Sequence, residues 1–525
     1  MRTLYRNGQV LTMDPTNPRA EAFVVEEERF LGAGPAHLLD GLIGPGDRVV
    51  DLGGRTVVPG LIDAHVHFSW FSFTLIDINL DGVATLEEAL GLIRDRVART
   101  PGGAWVRGTG FNANVWERWP TCRDLDMVAP LHRVVLSSKD CHSLWVNSLV
   151  LRDAGVTAAT ATPPGGEIIR DEHGEPTGIF KENAQSLIYR VMPDRTQEET
   201  LQAMRGALRY AHRVGITGLH CMDGIDCFRA LQALQARGEL SVRFFKQIPE
   251  DAIDFAIGAG LTTGFGNEWL RVGCVKMFSD GSLGSQTAYM LEGFEDRPDY
   301  LGVPTHTPES IAEVIEKAVR NNLAVAVHAI GDAANRMVLD ALEPVAELSR
   351  RKGLRHRIEH AQLLTDDDIL RFGELGVIAS VQPSHAPSDR YIADKFWGDR
   401  SRLAYAFRSL LKSGARLAFG SDVPVEPLDP LAGLHAAVWR KRLDEPDSES
   451  WYPGERLSVN EALHGFTMGA AYASGEEQLK GSISTGKLAD FVVLTHDIST
   501  GAEEPLRDAR PQATVVGGRL MFGDL

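Results

Sequence analysis

His65 and His67 stand two residues apart in the stretch Val58-Pro-Gly-Leu-Ile-Asp-Ala-His-Val-His-Phe68, at the end of a mostly apolar run. Residues i and i+2 of a β-strand face the same way, so the two imidazoles converge on one point. Imidazole is the commonest metal ligand among side chains. Further along, Lys276 lies in a strand-like run, and His328, His360 and Asp422 each end one. Imidazoles and a carboxylate are metal donors, and at strand ends they would meet at one mouth together with the lysine. Any one of these residues alone reads as a hydrogen-bonded core residue. Four histidines and an aspartate, all at strand ends, are an improbable accident.

Those runs belong to a regular alternation of strand and helix. Strand-like segments occur at 61–67, 218–222, 242–248, 270–278, 324–328, 355–360, 377–382 and 416–422. Helical patterns follow at 226–236, 251–257, 308–320, 335–349, 366–374, 402–412, 431–442 and 459–473. In the helix over 308–320, Ile311, Val314, Ile315 and Ala318 repeat at helical spacing. Eight strands, each leading to a helix, predict an α/β fold of the TIM-like (β/α)8 kind over 58–475. In such barrels the chemistry sits at the C-terminal ends of the strands, where the residues above fall.

The stretch between the first two strands is too long for a βα connection and predicts an inserted subdomain over about 69–210, covering the C-terminal face. It holds Trp70, Trp105, Trp116, Trp119 and Trp145, five of the nine tryptophans. Most of these are expected in the insert's own core, with Trp116 a candidate to line a substrate pocket. Both ends of the chain are rich in short strands with glycine turns. Residues 1–57 and 476–525 are therefore expected to build one small β-sandwich domain.

Charge and composition exclude several classes. A formal net charge of −17 offers no electrostatic footprint for nucleic acid or an anionic membrane. No apolar run is long enough for a transmembrane helix, and the first residues lack the apolar core of a signal peptide. Five scattered cysteines without a CxxC point to reduced thiols. The expectation is a cytoplasmic protein acting on a small molecule, with a homodimer left open.

The motifs resemble the amidohydrolase superfamily over most of the chain. They are Pro59-Gly-Leu-Ile-Asp-Ala-His-Val-His67, Val327-His-Ala-Ile-Gly-Asp332, Arg357-Ile-Glu-His360, Gly420-Ser-Asp-Val-Pro424 and Gly486-Lys-Leu-Ala-Asp-Phe-Val-Val-Leu494. The segment Val275-Lys-Met-Phe-Ser-Asp-Gly-Ser-Leu-Gly-Ser285 looks like the YtcJ-like branch, amidohydrolase family 3, which includes N-substituted formamide deformylases. The resemblance implies two divalent metals, with zinc expected. His65, His67 and Asp422 would hold one, His328 and His360 the other. Lys276 would bridge them as a carbamate formed with carbon dioxide, and Glu182 of the insert is a rival anionic ligand.

On this reading Asp422 also moves the proton from water to the leaving group. Asp280, Ser282, His220, His385 and Trp116 are candidates for the substrate pocket. His142 is expected to hydrogen-bond or line the pocket, and His356 to be structural. The reaction expected is hydrolysis of an amide-type C–N bond, as in an N-acyl or N-formyl amine. Deamination, cyclic-amide or lactone hydrolysis on the same scaffold, and a catalytically silent metal-binding protein, are the alternatives.

Overall fold

Residues 1–139, 143–163 and 166–525 are described by a computed structural model, with the backbone alone for Asn114 and Glu182. His142 and the Glu182 side chain lie outside the described residues. The chain forms two units, one of Met1–Phe68 with Ala207–Leu525, the other Ser69–Gly206.

The first unit contains an eight-stranded parallel sheet in strict sequence order. Its strands are Leu61–Val66, Ile216–Cys221, Arg243–Pro249, Leu270–Phe278, Val325–Ala329, Arg357–His360, Ile378–Val381 and Arg416–Phe419. Most of their residues are buried, because helices cover the outside and side chains fill the inside. The expected (β/α)8 barrel is therefore present. Its helices include Pro308–Arg320, where Thr307 caps the first turn by accepting from the Ser310 N–H at 3.2 Å.

The first and eighth strands close the barrel without a regular ladder. Val66 and Val423 form a single parallel bridge. The Asp422 N–H donates to the His65 carbonyl at 2.8 Å, and the His67 N–H to the Val423 carbonyl at 2.9 Å. The buried Asp63 carboxylate accepts from the backbone N–H groups of His65 and Ser421, both at 3.0 Å. Gly420 makes this seam fit: a Cβ there would stand 2.5 Å from the His65 nitrogen.

Two of the departures from the expected helices have a clear physical cause. His385–Trp397 is a helix that the sequence pattern did not show. Pro387 sits in its first turn, where proline is tolerated, and mixed polar and apolar residues blur its stripe. The helix expected over 459–473 is Val459–His464, a π-turn Gly465–Gly469 and Ala470–Ala473. Close packing on the eighth strand accounts for the irregularity, since a Cβ at Gly465 would meet the Phe419 ring at 2.6 Å.

The terminal strands form two sheets. Arg2–Arg6, Ala22–Glu26, Arg29–Gly34 and Arg48–Asp51 make one. The other combines Gln9–Leu11, Arg19–Ala20 and Thr56–Pro59 with Phe491–Leu494, Pro511–Val516 and Arg519–Gly523. Phe23, Phe30 and Val57 share one core with Phe491, Val493 and Val515, so the two sheets pack face to face from both ends of the chain.

The second unit carries a six-stranded mixed sheet, from Ile78–Asn79 to Pro176–Glu182, and the helices Leu86–Val97, Cys122–Val128 and Ser148–Asp153. Among the described residues no helix is long and apolar enough to cross a membrane.

Candidate active site

Barrel closure brings Asp422 onto the two histidines of the first strand. Asp422 Oδ1 lies 3.3 Å from His65 Nε2 and 3.4 Å from His67 Nε2. The His360 ring centroid is 5.0 Å from that of His65 and 4.7 Å from that of His328. One donor atom each from His65, His360 and Asp422 lies within 4.8 Å of the others. Lys276 is buried on the fourth strand with its ammonium 3.9 Å from the centre of the Phe278 ring.

Each imidazole faces an acceptor with one nitrogen, which leaves the other for the site. His65 Nδ1 is 2.6 Å from Glu359 Oε2, and His67 Nδ1 is 3.4 Å from Asp223 Oδ1. His360 Nδ1 is 2.7 Å from Gln382 Oε1, and His328 Nε2 is 2.8 Å from the Gly281 carbonyl. Such partners set which nitrogen carries the proton and which keeps a lone pair for a metal. Backbone strain also gathers here. His360 (φ 72), Ala361 (φ 42) and Asp422 (φ 61) are left-handed non-glycine residues at strand ends.

The electrostatics match this reading. Burial pushes the His328 pKa down to about 3, helped by the charge of Lys276. Burial likewise holds His65 and His360 below their ordinary value. These rings are neutral at pH 7 and able to ligate. Burial opposes charge on His67 too, but Asp223 and Asp422 outweigh it and raise that pKa to about 10, so this ring is protonated at pH 7 and a cation would have to displace its proton to be held there. Burial also opposes charge on Asp422, and His65, His67 and His360 overcome it, holding the carboxyl ionised. Neutral imidazoles and an anionic carboxylate within a few ångströms are a donor set that fits a divalent cation.

The remaining expected site residues are placed as follows. Asp280 is an acceptor for the backbone and lies 3.6 Å from His328 Nε2. Its oxygens take the N–H groups of Tyr289, Ile330 and Gly331 at 2.8–3.0 Å and so tie down the segment after the fifth strand. Ser282 is exposed, with its hydroxyl 2.8 Å from that of Ser285 in its own turn. His220 faces the barrel interior, and its Nδ1 receives Arg357 Nη1 at 2.9 Å. The His385 ring lies parallel to that of His360 with centroids 6.1 Å apart. Its Nε2 is buried without a hydrogen-bond partner among the described residues. Trp116 packs into the core of its own unit against Phe111 and Trp145, and its indole N–H donates to the Val83 carbonyl at 3.1 Å.

Sequence reasoning missed the supporting residues Glu359, Arg357, Asp223, Gln382 and Asp63. A signal existed for two of them. Arg357 and Glu359 are opposite charges two apart in a strand that is otherwise buried, so they share a face and require each other. Arg357 Nε lies 2.6 Å from Glu359 Oε1, with both side chains wholly buried.

His356 lies just before the sixth strand and is structural, as expected. Its Nδ1 accepts the Val325 N–H at 3.1 Å and its Nε2 faces the Ser349 hydroxyl at 2.7 Å. Protonation would destroy the first bond, and burial pushes the pKa from 6.5 down to about 4. The folded value is below the unfolded one. The contribution to stability is therefore complete above about pH 6.5 and is lost as pH falls toward about 4. At about 1.4 kcal/mol per unit, acidification through this window costs the fold roughly 3 kcal/mol. Urea unfolding midpoints should fall through this window, and His356→Gln should flatten the fall. An unchanged acid profile in the variant would contradict this account.

The barrel and the donor set at its C-terminal mouth define a hydrolase of the metal-dependent class. The chain belongs to the amidohydrolase family, whose pattern matches residues 48–522. It is 35% identical to Protein LONG AFTER FAR-RED 3 of Arabidopsis thaliana over 99% of this chain and 91% of that protein. Identity is 31% to YtcJ of Bacillus subtilis (strain 168), named an amidohydrolase, over 99% of both chains. It is 29% to the N-substituted formamide deformylase of Arthrobacter pascens, over 98% and 97%. The crystal structure of a metal-dependent hydrolase from Pyrococcus horikoshii OT3 superposes with a TM-score of 0.82 at 28% identity, covering 96% of this chain and 99% of that one.

Proposed function

We propose that the protein hydrolyses an amide-type C–N bond of a neutral N-acyl or N-formyl amine, with divalent metal bound at the barrel mouth. The observation that carries the hydrolase reading is the gathering of His65, His67 and His360 around one ionised aspartate, with His328 beside His360. The choice of a C–N bond draws on the likeness to N-substituted formamide deformylase. His65, His67 and Asp422 would hold one cation and His328 with His360 a second. Metal bound there supplies acidified water and polarises a carbonyl oxygen.

The chain's own groups do the rest. Asp422 Oδ1, between His65 and His67, takes the proton released as the water oxygen bonds to the carbonyl carbon. It returns that proton to the amine nitrogen as the C–N bond breaks. His385 Nε2, buried with no partner among the described residues, is available to a substrate oxygen. Burial brings the Lys276 pKa down to about 8, so a share of the amine is neutral. That neutral nitrogen can bond to carbon dioxide, releasing a proton and leaving an anionic carbamate that would offer oxygen donors to a bound metal.

The test is turnover by metal-replete wild type and Lys276→Ala of three substrate classes: N-formyl and N-acetyl benzylamines, anionic N-acyl amino acids, and lactones. Neutral amides should be hydrolysed fastest and Lys276→Ala should lose most of that rate. Faster turnover of lactones would replace the C–N assignment. Faster turnover of anionic amides would reverse the substrate class. No turnover of any class with metal bound would favour a silent metal-binding protein.

A further inference from the structure

Cys221 ends the second barrel strand, and Cys227 stands in the first turn of the helix Ile225–Ala236. The short turn between them folds back so that the two sulfurs lie 3.6 Å apart, both buried. Cys221 Sγ is 3.4 Å from Asp223 Oδ2. One donor atom from each of the three residues lies within 4.8 Å of the others. We propose that Cys221, Asp223 and Cys227 form a second metal site, for a thiophilic divalent cation such as Zn²⁺ or Cd²⁺, distinct from the histidine site at the barrel mouth.

Distance supports it. Zinc bonds thiolate sulfur at about 2.3 Å and carboxylate oxygen at about 2.0–2.2 Å. At tetrahedral angles those lengths place two sulfurs about 3.8 Å apart, and a sulfur and an oxygen about 3.5 Å apart. The observed 3.6 Å and 3.4 Å agree within the tolerance of about 0.2 Å expected of a metal site. A disulfide, at about 2.05 Å, is a different arrangement. Without metal the same positions suit a chain of S–H···S and S–H···O hydrogen bonds. Metal entry replaces it, and the two thiol protons leave to solvent.

Charge supports it as well. Two thiolates and a carboxylate exceed one divalent cation by a single negative charge. Buried Lys246 supplies the balance: its ammonium donates to the Asp223 carbonyl and, at 2.6 Å, to the Gln247 carbonyl. The Asp223 side chain is 12% exposed, which lets water complete the coordination. Asp223 also joins the two sites. Its Oδ2 faces Cys221, while its Oδ1 is 3.4 Å from His67 Nδ1. An occupied thiol site would therefore hold fixed the carboxylate that orients His67.

The test uses the full chain, stripped of metal under reducing conditions and titrated with Cd²⁺ alone. The ultraviolet charge-transfer band of thiolate-bound cadmium should appear and saturate at one cadmium per chain. It should persist in His65→Ala/His67→Ala and be lost in Cys221→Ala/Cys227→Ala. A second measurement needs no variant. Alkylation of the wild-type protein in dilute urea, mapped by peptide mass, should be slowed by Cd²⁺ at Cys221 and Cys227 relative to Cys122 and Cys274. No band in the wild type, a band surviving in Cys221→Ala/Cys227→Ala, or equal slowing at Cys221, Cys227, Cys122 and Cys274 would overturn the proposal.

Discussion

Asp422→Asn is expected to fold normally and to lose roughly 10²–10⁴-fold in kcat, the range for removal of a general acid–base group. The substitution keeps the shape of the side chain and changes its chemistry. Asp422 sits at φ 61, a left-handed conformation that asparagine tolerates about as well as aspartate. Its backbone N–H still reaches the His65 carbonyl, so the seam between the first and eighth strands survives. The anionic oxygen between His65 and His67 is lost, and with it both a proton acceptor and a metal ligand. Metal content by elemental analysis should fall alongside kcat, while circular dichroism stays unchanged. Full activity in this variant would remove Asp422 from the chemistry.

Arg357→Met should produce the largest loss of stability of any single substitution near the site, about 3–5 kcal/mol. Arg357 and Glu359 are fully buried and 2.6 Å apart. Burial disfavours the Glu359 charge, and Arg357 with His65 more than compensates, bringing its pKa down to about 2. Removing the arginine leaves that carboxylate without its principal cation in a place water does not reach. The pair lies beneath the active site, since the other Glu359 oxygen holds His65 Nδ1 at 2.6 Å. Metal affinity should consequently drop about 10–100-fold, as for other ligand-orienting groups.

The double variant Arg357→Met/Glu359→Gln removes both charges and should recover much of the stability. Metal affinity should recover less, because glutamine is a poorer partner for His65. Urea unfolding and competition with a chelator measure the two effects. Equal unfolding midpoints in the single and double variants would show that the buried charge was never the issue.

Much of this protein was determined locally. The apolar runs of the eight strands and the helical stripe of Ile311, Val314, Ile315 and Ala318 are short-range patterns, set by the periods of strand and helix. His65 and His67 share a face for the same reason. The positions of Lys276, His328, His360 and Asp422 at or near strand ends follow once the strands are drawn. The helix His385–Trp397 was hidden because its stripe is weak, and the π-turn Gly465–Gly469 because packing on Phe419 produces it.

Only tertiary structure decided which of the charged and aromatic residues serve the site. Closure through Asp63 and Ser421, 358 residues apart in the chain, is what sets Asp422 against His65 and His67. Asp280, beside the fourth strand, is taken up by three backbone N–H groups that only the folded chain presents. Trp116 goes to the core of its own unit, because burying its ring against Phe111 and Trp145 satisfies both its apolar area and its N–H. The acceptors behind the histidines, Glu359, Asp223, Gln382 and the Gly281 carbonyl, come from four different parts of the barrel. Hydrogen bonds and ion pairs depend on separations of a few ångströms between residues far apart in sequence. No local period encodes those separations, whereas strand and helix periods are written into every successive residue.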